Sequence, residues 1–188
     1  MKKVLLVIFS IIILFVLSSS LYLIPNFNDD FSIETYQVDM SGYEGVNSIK
    51  HMFKGTTVKE LEKTIKEKGY GVFVLSRTSC EHCQASMKYL NEVAEKLGVY
   101  VYYIDGESSR YPIVDTDDYD LLDTLLKPIE EKLDGELTLQ TPHFFTVIRG
   151  EFVDSMVGVD FDDLYNPTQD EINKLSKKYE HALKRFQK

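Results

Sequence analysis

The sequence predicts one α/β domain, a mixed central sheet flanked by helices, behind an N-terminal transmembrane or signal segment. Three observations predict it. Between Gly71 and Ile104 a short apolar run, an amphipathic helical pattern and a β-branched, aromatic run follow one another. From Thr141 to Val157 two strand-like runs flank the tight turn Arg149-Gly150. The chain then closes with an amphipathic helix introduced by a capping motif. A chain of 188 residues has room for one domain plus an appendage, and 44% hydrophobic residues suffice for a core. The net charge of −9 argues against a nucleic-acid partner, since phosphate binding needs clustered Lys and Arg. No internal repeat is evident.

Taken in order, Lys2 and Lys3 precede Val4 to Ile24, 21 residues without a charge. At helical rise such a stretch spans roughly 31 Å, about one hydrocarbon core. The lysines stay in the cytoplasm and send the rest outside. Cleavage as a signal peptide after Ser18-Ser19-Ser20 is the alternative. The uncleaved anchor is preferred because Leu21, Tyr22, Leu23 and Ile24 continue the apolar run. No cysteine near the segment end offers a site for lipid attachment. We therefore divide the chain into an anchor (1–25), an acidic tether (26–45) and the domain (46–188), with an insertion around 106–140.

Within the tether, Ile33 to Val38 is a candidate edge strand. Thr57-Val58-Lys59-Glu60 reads as a capping box, opening a helix through Leu61 and Ile65 that ends near Gly69. Val72 to Leu75 is a buried strand, Ser76 to Ser79 a polar turn, and Cys83, Met87, Leu90, Ala94 and Leu97 form one helical face. Val99 to Ile104 is a second buried strand, reached by a right-handed crossover and so parallel to the first. In Asp105 to Gln140, the acidic Asp115, Asp117, Asp118 and Asp120 precede a helix carrying Leu121, Leu122, Leu125, Ile129 and Leu133, which Pro128 should kink or split. These aspartates lack the spacing of a calcium loop and read as a solvated helix N-terminus. Thr141-Pro142 opens the strand His143 to Ile148, a place compatible with a cis peptide bond. Glu151 to Val157 returns as its hairpin partner. Thr168-Gln169-Asp170-Glu171 is a second capping box, and Ile172, Leu175, Tyr179, Ala182, Leu183 and Phe186 mark the buried face of a helix running to the end.

The only two cysteines, Cys80 and Cys83, stand where strand becomes helix. Residues three apart at a helix start lie about 5 Å apart at Cα, within reach of a disulfide. Cys80 would occupy the exposed first turn, where free N–H groups and the helix dipole favour a thiolate. Cys83 falls in line with the apolar face. An exposed, acidified thiol backed by a sheltered resolving thiol suits thiol–disulfide exchange. Zinc wants four ligands, and His51, His82, His143 and His181 form no second pair at metal spacing. A copper carrier would also need a methionine-rich loop, which is missing. An inert structural bridge closing so short a loop would restrain the unfolded chain little. No metal and no cofactor is expected.

The order helix, strand, CxxC helix, strand, helix, proline-led strand, strand, helix resembles the thioredoxin fold, from about Thr57 to Lys188. The residues that carry the resemblance are Cys80-Glu81-His82-Cys83 after a strand, Thr141-Pro142, and Gly150 eight residues past that proline. The resemblance implies that Pro142 is cis and lies beside the cysteines, with Thr141 presenting backbone to substrate. It also implies two departures. Ser79 stands where a tryptophan usually precedes the first cysteine, and Val74 where many relatives carry a buried proton-accepting acid. The layout, with the Ser76-Arg77-Thr78-Ser79 lead-in, is similar to membrane-anchored, extracytoplasmic thioredoxin-like proteins of Gram-positive bacteria, including accessory proteins of bacteriocin export.

The expected function is thiol–disulfide exchange on cysteine-containing exported proteins through Cys80 and Cys83, reset by a membrane or extracytoplasmic redox partner. His82 can pair with the Cys80 thiolate and lower its pKa, while Glu81 acts oppositely. An oxidising compartment favours disulfide formation over reduction. His143, beside Pro142, is a further candidate neighbour of the site. The rival class is a binding module of an export or envelope complex whose thiol pair is redundant.

Overall fold

The computed structural model describes residues 31–106, 116–130 and 139–187. The expected anchor at Val4 to Ile24, the start of the tether, and much of the 106–140 insertion lie outside the described residues. Among the described residues no helix is long and apolar enough to cross a membrane.

Five strands form one mixed sheet: β1 (Phe53–Gly55), β2 (Tyr70–Ser76), β3 (Val101–Asp105), β4 (His143–Ile148) and β5 (Glu151–Val157), in the order β1-β3-β2-β4-β5. Strand β3 runs parallel to β1 and β2, whereas β4 is antiparallel to β2 and to β5. The helices are α1 (Val58–Lys66), α2 (Glu81–Leu97), α3 (Thr116–Glu130) and α4 (Gln169–Leu183). This is the mixed α/β, thioredoxin-like arrangement that the order of elements implied.

Alternation along the central strands sorts the core into two layers. Val72, Val74 and Phe144 share one cluster with Cys83, Met87 and Leu90 of α2 and Leu175, Tyr179 and Leu183 of α4. Phe73, Leu75, Phe145 and Val147 face the other way, against Val58 and Leu61 of α1 and Leu122, Leu126 and Ile129 of α3. Phe73 and Phe145 sit opposite each other in the ladder and stack at 5.6 Å between centroids. Strand β2 is therefore covered on both faces, which is why it reads as a continuous apolar run.

Several expectations need correction. Ile33 to Val38 is not an edge strand; it makes a single antiparallel bridge, Tyr36 to Gly55. The edge is β1, three residues long and too short to leave a periodic signal. The stretch to residue 45, read as a tether, is packed onto the domain from Phe31 on. Phe31 lies against Tyr70, and Met40 and Tyr43 are almost fully buried. Apolar side chains spaced irregularly through an acidic segment find the core without forming an element. Pro128 does not split α3: it lies in the last turn, so the one hydrogen bond its missing N–H removes is at the helix end. The 57–60 capping box is half closed. Thr57 accepts from the Glu60 N–H, but the Glu60 carboxylate instead takes the Glu34 N–H at 2.9 Å and Lys63 Nζ at 3.3 Å. The box at Thr168 and Glu171 is complete. Helix α4 ends at Leu183 and passes into a 3-10 turn, Lys184–Phe186.

Two substitutions gauge the parts of this frame. Thr168→Ala removes a working N-cap and should cost about 1 kcal/mol in urea unfolding. Gly150 has φ +78°, and a Cβ there would strike the Ile65 carbonyl. Gly150→Ala should therefore cost more, about 2 kcal/mol or above in the same assay, since strain and a backbone clash add.

Candidate active site

The site is assembled by the C-terminal end of β2 and the N-terminal end of β4. After Ser76 the chain turns through Arg77 to Ser79, and the Cys80 N–H donates to the Arg77 carbonyl at 3.2 Å. Cys80 is the N-cap of α2, in extended conformation with φ −94° and ψ 120°, and its carbonyl accepts from the Gln84 N–H at 3.0 Å. Cys80 is half-buried and Cys83, one turn on, is fully buried; both are free thiols. The apolar face predicted for α2 is what places Cys83 inside.

The antiparallel register sets His143 opposite Leu75, so Thr141 and Pro142 lie just beyond the end of β2. Their peptide bond is cis. The Cys80 thiol donates to the Thr141 carbonyl at 3.2 Å. The Gly158 N–H donates to the Pro142 carbonyl at 2.8 Å, drawing the loop after β5 to the same place. That loop and α4 border an open groove of about 740 Å³, lined by Val157, Gly158, Phe161, Lys174 and Lys178 among others.

The two sulfurs are driven apart electrostatically. Partial burial pushes Cys80 up, but the Thr141 side chain, the Cys83 thiol and the backbone amides of Cys83 and His82 outweigh it, so the Cys80 thiol is lowered overall. Burial dominates at Cys83 and pushes it up to about 11, against the opposing influence of Ser76, the Arg77 backbone and the Thr141 side chain. At His82 it is thus the main chain that acts on Cys80. The side chains of Glu81 and His82 are exposed, and Glu81 hydrogen-bonds the Tyr165 hydroxyl.

His143 does not join the cysteines. Its ring packs on Phe145, on the opposite face of the sheet from α2, and Nε2 lies 2.8 Å from Ser155 Oγ. Alternation along β4 decides this. Two residues outside the sequence expectation belong to the site. Gln84 Nε2 donates to the carbonyls of Thr78 (2.7 Å) and Gly42 (2.8 Å), and its Oε1 accepts from the Glu44 N–H (3.2 Å). Ser76 lies under Cys83. Ser76, which the sequence places at the start of the polar turn, is instead the last residue of β2; for Gln84, on a helix surface, there was no signal. Among the described residues no three His, Cys, Asp or Glu side chains converge as they would on a metal ion.

No protein-family model matches the chain, and no curated protein matches it. Among solved structures it is similar to thioredoxin O2 from Arabidopsis thaliana, at 14% identity and a TM-score of 0.39, covering 73% of this chain and 96% of that one. It is also similar to thioredoxin F from spinach chloroplast, at 16% identity and a TM-score of 0.36, over 69% and 98% of the two chains. The thioredoxin from Aeropyrum pernix aligns at 17% identity and a TM-score of 0.35, over 64% and 82%. Likeness at this level assigns neither activity nor substrate.

The thiol asymmetry gives a measurable pH profile. Iodoacetamide should modify Cys80 with a midpoint below the ordinary thiol range and leave Cys83 untouched until the pH nears about 11. Reduced-state stability follows the same shifts. The Cys83 contribution is present below its unfolded pKa and is lost as pH rises toward about 11. The Cys80 contribution is present above its unfolded pKa and is lost as pH falls through its lowered folded value. Equal alkylation of both cysteines at neutral pH would contradict this.

Proposed function

We propose that this protein is a thiol–disulfide oxidoreductase acting on exported proteins through the Cys80–Cys83 pair, in the direction of disulfide formation. One observation carries the reading: an accessible thiol at a helix start, hydrogen-bonded to the Thr141 carbonyl, with a buried second thiol one turn away. A substrate thiolate attacks Cys80 Sγ of the oxidised pair, breaking the Cys80–Cys83 bond and leaving Cys83 reduced. A second substrate thiol then attacks the substrate sulfur of the mixed disulfide and expels the Cys80 thiolate. The substrate loses two electrons and two protons as its own disulfide forms, and the pair gains the electrons. The lowered Cys80 thiol supports this direction, because stabilising the reduced form makes the couple more oxidising.

Thr141 and Pro142 present backbone to the bound polypeptide, the groove beside Gly158 receives the chain that flanks its cysteine, and Glu81 and His82 set the local charge around the exposed sulfur. The apolar segment Val4 to Ile24 holds the domain at the outer face of the cell membrane, where a membrane or extracytoplasmic partner reoxidises the pair. The lead-in to Cys80 favours a role like that of the bacteriocin-export accessory proteins it resembles.

The test is equilibration of the full chain with glutathione. A potential of about −120 mV would mark an oxidant and about −270 mV a reductant. Cys80→Ser should abolish exchange, whereas Cys83→Ser should accumulate the mixed disulfide. A wild-type chain that forms no Cys80–Cys83 disulfide at any glutathione ratio would end the redox reading.

A further inference from the structure

Strand β2 ends, beneath the cysteine turn, in a polar residue with no exposed surface. Ser76 is fully buried, and its hydroxyl hydrogen-bonds the Cys83 thiol. The same hydroxyl lies 2.8 Å from Tyr43 Oη, which in turn lies 3.0 Å from Tyr103 Oη. Tyr103 donates to the Ser76 carbonyl at 3.2 Å. Both tyrosines are 2% exposed. Three hydroxyls thus form one chain that begins at the resolving sulfur and closes on a backbone carbonyl.

Such a chain cannot take up a proton. Its last donor ends on a carbonyl, and burial raises both phenols far above their ordinary range, so they remain neutral O–H groups. Asp105, at the end of β3 opposite Ser76, disfavours phenolate further. The chain can nevertheless reverse by rotation of hydroxyl protons alone. When Cys83 is a thiol, its S–H can donate to Ser76 Oγ and each hydroxyl to the next. When Cys83 is a thiolate, Ser76 turns its O–H to the sulfur and Tyr43 turns its own to Ser76. At Val74, where the family resemblance places a buried acid, β2 is apolar and fully buried.

We propose that Ser76, backed by Tyr43 and Tyr103, donates the hydrogen bond that stabilises the Cys83 thiolate during exchange, in place of a buried carboxylate base. The inference rests on the thiol–disulfide reading above. In resolution, Cys83 sulfur attacks Cys80 Sγ of a mixed disulfide. The Cys80–Cys83 bond forms, the bond from Cys80 to the substrate sulfur breaks, and the Cys83 proton ends on the departing thiol. In the opposite direction Cys83 is the leaving group, and the same bond stabilises it. Ser76 touches the reacting atom; Tyr43 and Tyr103 act through it and are positioning residues. Tyr43 comes from the segment that Gln84 clamps beside the cysteine turn, so the stretch ahead of β1 supplies part of the site.

The reduced full chain treated with dithiobis-nitrobenzoate separates the two steps. Cys80 attack releases one nitrothiobenzoate and leaves a mixed disulfide; Cys83 attack releases the second. Ser76→Ala and Tyr43→Phe should slow the second release about three- to tenfold at neutral pH and leave the first within about twofold. The size follows because losing a donor raises the thiol's pKa, and the gain in intrinsic nucleophilicity offsets only part of the lost thiolate. Ser76→Thr should restore the second release. Second-release rates within about twofold of wild type in both variants, with two equivalents released, would overturn the inference and leave the exchange reading standing. A wild-type chain that releases only one equivalent would overturn both. Should Ser76→Ala not fold, Tyr43→Phe, which keeps the ring in the core, decides by the same comparison.

Discussion

The antiparallel register of β4 on β2 is the constraint from which the site follows. With His143 opposite Leu75, the chain ahead of β4 must pass over the end of β2, where the cysteine turn leaves the sheet. The Thr141 carbonyl then meets the Cys80 thiol at 3.2 Å. A slip of one residue would turn every side chain of β4 to the other face and carry Thr141 away from the sulfur. The register is held by apolar side chains on both faces: Phe144 against α4 and Phe145 against Phe73. Packing far from the sulfurs thus fixes the contact that matters to them.

The difference between the two thiols is a difference of depth along one helix. At the N-cap, Cys80 sits among backbone amides whose carbonyl partners are absent, and these favour negative charge. One turn later Cys83 has entered the apolar face of α2, where burial opposes charge. A single amphipathic helix therefore supplies an accessible, acidified sulfur and a sheltered one. What keeps the inner sulfur usable is the small polar inclusion at Ser76, in a layer built mainly from aliphatic and aromatic side chains. Placing hydroxyls there rather than a carboxylate avoids a buried charge while retaining a donor.

The stretch ahead of β1 is as much a part of the site as the CxxC turn. Met40 and Tyr43 are buried in the α2 layer, and Gln84, the residue after Cys83, holds Gly42 and Thr78 together through one amide group. Detaching this stretch would uncover the Ser76 hydroxyl and loosen the turn that carries Cys80. An acidic, turn-rich composition gave no sign of this, because contact with the core requires only a few apolar side chains at the right places.

Local chemistry determined much about this protein before any tertiary contact. The apolar run Val72 to Leu75, the helical face through Cys83 and Leu90, the hairpin turn at Arg149-Gly150 and the cap at Thr168 are written in neighbouring residues, since strand period, helix period and capping act over a few positions. That Cys83 is the more sheltered of the two thiols was legible for the same reason. Only the tertiary structure decided which strand forms the sheet edge, that residues 31–46 pack rather than dangle, that His143 faces away from the cysteines, and that Tyr43 and Tyr103 meet at Ser76. The hydroxyl chain joins partners 27 to 60 positions apart in the chain, and pairings of that span are set by packing and register rather than by any local pattern.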